Sequence, residues 1–380
     1  MGSFTSVVAA ALEETAIHAT AIENRVRRTR AHAALVSTLS REIEEQPRAL
    51  SCMLEQWSTV CAVADAVRAF APEWIQIAAR GTSDNAARYA QYLFGVNNGL
   101  AVGLASPSLL TIYQSFPRVG RALTIGISQS GQSPDVVAVV AEARRQGGAT
   151  LAITNDSQSP LAAISEHRIL LTTGREESVA ATKTYTNQLL ALAMLSAALD
   201  GEDGVRRTQL ARVPPAVGEA LAGSAPFIEG ARPFRDATRF LVLARGFNYA
   251  TAHEVALKIK EMSYVVAEAY STADFLHGPV AMLEEAFPVV VVAPSGRSAA
   301  EIPALLDLLE RRQARLIAIS DDPATLARAE VAVALPANLP EWLSPIVAVV
   351  PGQILARSIA IAVGRDPDRP RGLSKVTQTR

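Results

Sequence analysis

Short apolar runs recur along this chain, and each ends in a small-residue turn followed by a helix-period segment. "IQIA" from Ile75 leads into Ala79-Arg80-Gly81, "ALTIGI" from Ala122 into "SQSG", and "LAIT" from Leu151 into Asn155-Asp156. Runs this short and this apolar, alternating with helical stretches, predict strands of a parallel sheet buried on both faces. The loop after "ALTIGI" is followed by Ser133, a good N-cap, and Pro134, suited to the first helical position. "VVAVVAEARRQ" then runs to the Gly147-Gly148 stop.

The pattern repeats. "FLVLARGFNYATAHEVALKIK" from Phe240 echoes "IQIAARGTSDNAARYAQYLFG" from Ile75, with Arg245-Gly246 standing 165 residues after Arg80-Gly81. "PSGRSAAEIPALLDLLE" echoes "QSGQSPDVVAVVAEARR" at the same offset, and "IAISD" follows "LAITN". One offset shared by three segments predicts an α/β fold of two tandem doubly wound parallel-sheet domains. The expected division is a helical segment over 1–48, a first domain over 49–215, a second over 216–366 and a tail over 367–380. "RVPPAV" and "GSAPF" lie in the connection.

Bulk composition narrows the function. Lys and Arg number 36 against 37 Asp and Glu, so no global field favours nucleic acid or an anionic membrane surface. The arginines of "RVRRTR" read as a solvated helix face. Two cysteines, Cys52 and Cys61, outside any CxxC pair, suit a reducing cytoplasm, and the scattered His18, His32, His167, His253 and His277 give no metal-site spacing. The opening "MGSFTSVVAAALEETA" is cut short by Glu13 and Glu14, so neither a signal peptide nor a membrane span is expected.

Candidate chemistry separates the two copies. Ser128, Gln129, Ser130 and Ser133 surround a predicted helix N-terminus with neutral donors, which suits a phosphate monoester. Taken singly, the loop fits an ordinary βα turn as well. The second copy has Ala293 and Pro294 where Ser128 and Gln129 stand, so phosphate is assigned to the first domain. The second copy carries Glu254, Lys258 and Glu261 on one helical stripe, with Val255, Ile259, Met262 and Val266 on another. The charged stripe alone reads as a surface i,i+4 pair with a solvated Glu261. His277 precedes Gly-Pro in a loop, and the tail "DPDRPRGLSKVTQTR" reads by composition as a loose end.

Together, "RGTSDNA", "ISQSGQSPD", "EESVAATKTYTNQ", "EVALKIKEMSY", "HGP" and the tail lysine resemble the sugar isomerase (SIS) domain family. The resemblance is closest to the isomerase half of glucosamine-6-phosphate synthase, over about residues 40 to 380. It implies that Thr82, Ser83, Ser128, Gln129, Ser130 and Ser133 hold the sugar phosphate, while Val179 and Ala180 line the sugar. It also implies that Glu261 shuttles a proton between C1 and C2, His277 opens the ring, and Lys375 meets the ketose carbonyl. Glu254, Lys258 and Arg371 match supporting positions.

Three departures stand out: Arg80 replaces a small residue, Ala181 replaces a serine, and no glutaminase domain is expected in a sequence of this length. The expectation is therefore an amino sugar phosphate deaminase, converting glucosamine 6-phosphate to fructose 6-phosphate and ammonia. No cofactor or metal is expected, and the enzyme is expected to be a homodimer with shared active sites. A fructosamine-type phosphate deglycase and a non-catalytic sugar phosphate sensor are the alternatives. A hexose or hexosamine 6-phosphate is the expected small-molecule partner throughout.

Overall fold

The computed structural model describes residues 37–201 and 204–375, so "RVRRTR", His18 and His32 lie outside the described residues. Ten strands form two five-stranded parallel sheets. β1 (Trp74–Ala78), β2 (Ala101–Leu104), β3 (Ala122–Ile127), β4 (Ala149–Thr154) and β5 (His167–Leu170) make the first, in the order β2-β1-β3-β4-β5. β6 (Arg239–Ala244), β7 (Val266–Ser271), β8 (Pro288–Val292), β9 (Arg315–Ser320) and β10 (Val331–Ala334) make the second, in the order β10-β9-β8-β6-β7. Read from the other edge, the second order is the first again, so the 165-residue echo is a true repeat of topology. In each sheet the chain reverses direction between the first and third strands. That switch point is where an open α/β sheet offers a crevice at the carboxyl ends of its strands.

The central strands are apolar because both of their faces are covered: every residue of β3, β4 and β8 is buried. Two helices are buried almost all round. Lys183–Leu199 lies against the Thr82–Asn98 helix of its own domain, and Ser344–Ala362 lies against the Tyr249–Ser263 helix. The segment Glu341–Ala362 is long and apolar enough to cross a membrane, yet 89% of its most apolar window is buried, as befits a core helix. Gly352 lets it approach closely, since a Cβ there would overlap Val255 Cγ2. One apolar core runs through both sheets, from Leu39 and Ile43 through Tyr89 and Tyr185 to Ile359. The Tyr89 hydroxyl crosses the domain boundary to donate to the Trp342 carbonyl at 2.7 Å.

Two sequence expectations change, and the connection takes a form that the sequence reading left open. The connection between the domains is helical, in Gly204–Ala211, Val213–Gly223 and Ala225–Gly230. Pro214, Pro215 and Pro226 sit in first turns, where a missing N–H costs nothing. Val266 does not extend the stripe of Val255, Ile259 and Met262, because Tyr264 ends that helix in the left-handed conformation (φ 63°). Val266 opens β7 instead and is exposed. As far as Lys375 the tail is docked rather than loose, since the Lys375 ammonium finds a buried carboxylate, and 376–380 lie outside the described residues.

Candidate active site between the two domains

The first wall of the site is the switch point of the first sheet. Gly131 turns with φ +61°, and a Cβ there would collide with the Ser159 side chain, so only glycine fits. The Ser128 hydroxyl accepts from the Gly131 N–H at 3.1 Å and lies 3.4 Å from the Ser133 hydroxyl. The Gln129 carbonyl is pinned by the Asn155 N–H at 3.0 Å and the Thr154 hydroxyl at 3.2 Å. Ser133 stands at the N-cap of Pro134–Arg145, but its hydroxyl makes no capping bond, contrary to the expected capping role. The hydroxyl is thus left facing Ser128, on the rim of the loop. Among the described residues, no protein group accepts from the N–H groups of Gln129, Ser130 and Ser133. Unpaired N–H groups at the start of a helix, beside hydroxyls, form a neutral cradle for an anion.

Arg80 brings a cation to this rim. Its Nε donates to Asp135 at 2.6 Å; Asp135 is wholly buried, while the Arg80 side chain is 49% exposed. Asp135 therefore fixes the base of a guanidinium whose outer edge remains in solvent.

The second wall is the Tyr249–Ser263 helix, which carries a chain of charges toward the first domain. Glu254 is fully buried and accepts from Asn85 Nδ2 at 2.8 Å and Thr82 Oγ1 at 3.1 Å. The Lys258 ammonium lies 3.4 Å from Glu254 and 2.6 Å from Glu261. The side chains of Glu254, Lys258 and Glu261 are 0%, 1% and 25% exposed. Glu254 and Lys258 are therefore a buried pair and not a surface one, and Glu261 alone reaches the open site. Burial raises the Glu254 pKa, with Lys258 and the Asn85 hydrogen bond opposing it. Burial works against the Lys258 ammonium too, but the two carboxylates outweigh it and hold its pKa above the ordinary value.

The third wall is the strap from Glu176 to Thr182. Glu176 is buried and accepts from the N–H groups of Thr182 at 2.9 Å and Thr184 at 3.1 Å, and from the Thr184 hydroxyl at 2.9 Å. Lys375 donates to Glu176 at 2.9 Å and to the Ser178 carbonyl at 2.6 Å. Val179 is half-buried and Ala180 buried beside it. From the helix Thr38–Glu44, the buried Glu42 accepts from the Glu177 and Ser178 N–H groups and holds the strap from behind. The Arg371 N–H donates to the Tyr264 hydroxyl at 2.6 Å, and its guanidinium lies 4.9 Å from that ring, so the tail passes the end of the Glu261 helix on its way to Glu176.

These contacts bring Thr82 together with Glu254, Lys258 and Glu261, and Lys375 together with the strap. The Thr82 hydroxyl hydrogen goes to Glu254, and the Ser83 hydroxyl accepts from Gln188 at 2.9 Å. His277 stands apart. It is exposed at the C-terminal end of Thr272–Leu276, beyond the edge strand β7, and its ring makes no hydrogen bond or ion pair among the described residues.

Asp135, Asn85, Gln188, Glu42 and Glu176 were not picked out by the sequence reading. Four of them had a signal, since Asn85 lies within "RGTSDNA", Asp135 within "ISQSGQSPD", and Glu176 and Gln188 within "EESVAATKTYTNQ". Glu42 acts through a contact between distant segments. No group of three or more His, Cys, Asp or Glu among the described residues is placed to hold a metal ion.

A charge-assisted hydrogen bond is worth about 1.5–3 kcal/mol, so one hydroxyl lost from the Ser128–Ser133 cradle changes affinity about 10- to 100-fold. Ser130→Ala is expected to raise the KM or dissociation constant for a sugar phosphate by that factor, and Ser295→Ala to leave it nearly unchanged. Titration of both variants checks the assignment, and equal losses would refute it.

Comparison with known proteins agrees with this architecture. The SIS domain profile matches residues 72–198 and 233–362. A glutamine–fructose-6-phosphate aminotransferase of Pyrococcus horikoshii is 34% identical over 340 residues, covering 88% of this chain and 56% of the relative, so the chain spans little more than half of that protein. The C-terminal domain of the glucosamine-fructose-6-phosphate aminotransferase of Francisella tularensis superimposes with a TM-score of 0.80 at 28% identity, covering 88% of this chain and 98% of that domain. The glucosamine-6-phosphate deaminase of Thermotoga maritima shares the fold, with a TM-score of 0.72 at 23% identity over 90% of this chain and 100% of that one. A profile that matches both halves of the repeat, together with this extent of shared sequence, shows that the chain belongs to the SIS domain family.

Proposed function

We propose that the protein is an amino sugar phosphate isomerase that acts as a deaminase, turning glucosamine 6-phosphate and water into fructose 6-phosphate and ammonia. The observation that carries this reading is Glu261, the one solvent-reaching carboxylate of an otherwise buried chain of charges that Glu254 ties to Thr82 and Asn85 of the other domain.

In this reading the cradle of Ser128, Gln129, Ser130 and Ser133 holds the phosphate, with Thr82 and Ser83 at the neighbouring turn. Val179 and Ala180 line the sugar. Once the ring is open, Glu261 removes the C2 proton and returns it to C1 on the same face, which makes the aldose carbon a hydroxymethyl and C2 an iminium. Water adds to C2, and the C–N bond breaks to leave the ketose and ammonia. Lys258, 2.6 Å away, keeps Glu261 oriented for the first transfer, and Lys375, steered by Glu176, stands for the C2 end.

Ring opening is assigned to His277 of the partner subunit in a homodimer, because within one chain the imidazole makes no contact with Glu261. Refolding Glu261→Gln and His277→Ala chains together is expected to restore roughly a quarter of wild-type sites, since half of the dimers are mixed and each mixed dimer has one intact site. Activity no higher than that of either variant alone, in a mixture whose mixed dimers are confirmed by mass, would exclude the shared site.

A second reading, a deglycase for fructosamine 6-phosphates, draws on the half-exposed Arg80, a cation available to an anionic aglycone. A panel of hexosamine and fructosamine 6-phosphates separates the two. Ammonia and fructose 6-phosphate in equal amounts support the deaminase. A free amino acid with glucose 6-phosphate supports the deglycase, and tight binding without turnover supports a sensor.

A further inference from the structure

The second domain repeats the first at an offset of 165 residues, and the offset reaches beyond the strands. Arg245 with Glu301 (3.5 Å) echoes Arg80 with Asp135. Ser295, Gly296, Arg297 and Ser298 echo Ser130, Gly131, Gln132 and Ser133, and Asp321, at the end of the matching strand, echoes Asn155. Glu341 stands at the position of Glu176.

The two glutamates do opposite things. Glu176 turns away from its own Ser-rich loop to bind Thr182, Thr184 and Lys375. Glu341 turns into its loop: its carboxylate accepts from the Arg297 N–H at 2.8 Å, the Ser298 N–H at 3.3 Å and the Ser298 hydroxyl at 2.8 Å. The fit is close, because a Cβ on Gly296 would overlap the Glu341 carboxylate. Asp321 takes a further donor of this arc, the Ser295 N–H, at 2.6 Å. In the first domain the corresponding Asn155 accepts from the Thr173 N–H and hydroxyl instead, and the N–H groups of Ser130 and Ser133 have no protein acceptor among the described residues.

We infer that the Ser295–Ser298 loop of the second domain is a phosphate-monoester site kept shut by Glu341. The carboxylate of Glu341 occupies the place where, by the repeat, a phosphate would meet the hydroxyl of Ser298 and the backbone N–H groups. Ala293 and Pro294 remove two donors relative to the first domain, and Arg297, where the first domain has Gln132, adds a cation in their stead. The site is closed by an anion of the chain itself, so an external anion competes with a group of very high effective concentration. The wild-type chain accordingly binds one phosphate monoester, in the first domain, although it carries two loops of the same ancestry.

Removing the carboxylate tests this. Inorganic phosphate and fructose 6-phosphate are titrated calorimetrically into the full chain, with Ser128→Ala/Ser130→Ala used to weaken the first site. Adding Glu341→Ala in that background is expected to create one new equivalent of phosphate binding per chain. In an otherwise wild-type chain, it is expected to raise the stoichiometry from one to two. Glu341→Gln keeps the shape and loses the charge, so it is expected to bind phosphate more weakly than Glu341→Ala.

If Glu341→Ala is unstable, phosphate or acetate is expected to raise its melting temperature, as a ligand bound only to the folded state must, and chloride at equal ionic strength is not. A folded Glu341→Ala chain that gains no phosphate site overturns the inference, and so does an unstable one that neither anion rescues. The reading is by binding and not by turnover. A wild-type chain that binds phosphate but fails to deaminate would refute the proposed reaction while leaving this inference intact.

Discussion

Replacing Glu261 with glutamine is expected to cut turnover about 10²- to 10⁴-fold while the KM for glucosamine 6-phosphate stays within a few-fold. The amide keeps the size of the side chain, and its oxygen still accepts from Lys258, which lies 2.6 Å from the native carboxylate. What it loses is the capacity to take a proton from carbon. Solvent deuterium should therefore cease to enter the sugar at C1 and C2, as read by mass spectrometry of recovered substrate and product. Persistent exchange would remove Glu261 from the reaction. Glu254 would not replace it, since that carboxylate is fully buried and engaged by Asn85, Thr82 and Lys258.

Lys258→Met is expected to produce the largest loss of stability of any single change considered, about 3–5 kcal/mol, because it leaves a buried carboxylate without its counter-charge. Urea denaturation of the variant beside the wild type measures the loss, and Lys258→Met with Glu254→Gln should recover much of it. The loss also depends on pH. Burial raises the folded-state pKa of Glu254 above the ordinary carboxylate value, so the folded state binds the proton more readily than the unfolded chain does. The Glu254 contribution is then favourable below the unfolded pKa and is lost as pH rises through the folded one. Without Lys258 the folded pKa rises further, so the variant should come nearest to the wild type at acid pH and fall furthest behind at neutral pH. A deficit independent of pH would mean that packing and not charge is what Lys258 supplies.

Local pattern was enough to place the strands, the two domains and the Ser-rich loop, because each rests on residues adjacent in sequence and on a repeat that shows itself twice. The state of Glu254 and Lys258 was not readable in that way. A charged i,i+4 pair looks solvated until a second helix, carrying Asn85 and Thr82, is laid over it from 169 and 172 residues away. Tail docking was hidden for a similar reason, since "LSK" has no apolar anchor and is held by Glu176, 199 residues earlier. Val266 was misassigned because helix periodicity continues in the letters past Tyr264, while the backbone turns left-handed there. The Ser133 hydroxyl was given the ordinary capping role, and no local rule reveals that it faces Ser128 instead. Glu341 shows the converse. Its offset was present in the sequence, but only the folded chain reveals that it turns inward where Glu176 turns outward.

The hydrogen bonds from Asn85 and Thr82 to Glu254 tie one repeat to the other through a charge that neither could shelter alone. Expressed as separate fragments, the first half would present polar groups shaped for an absent acid, and the second would carry a carboxylate and an ammonium laid bare to solvent. Each half is therefore expected to need the other, and a free-standing single domain would require both the acid and its lysine to be replaced together.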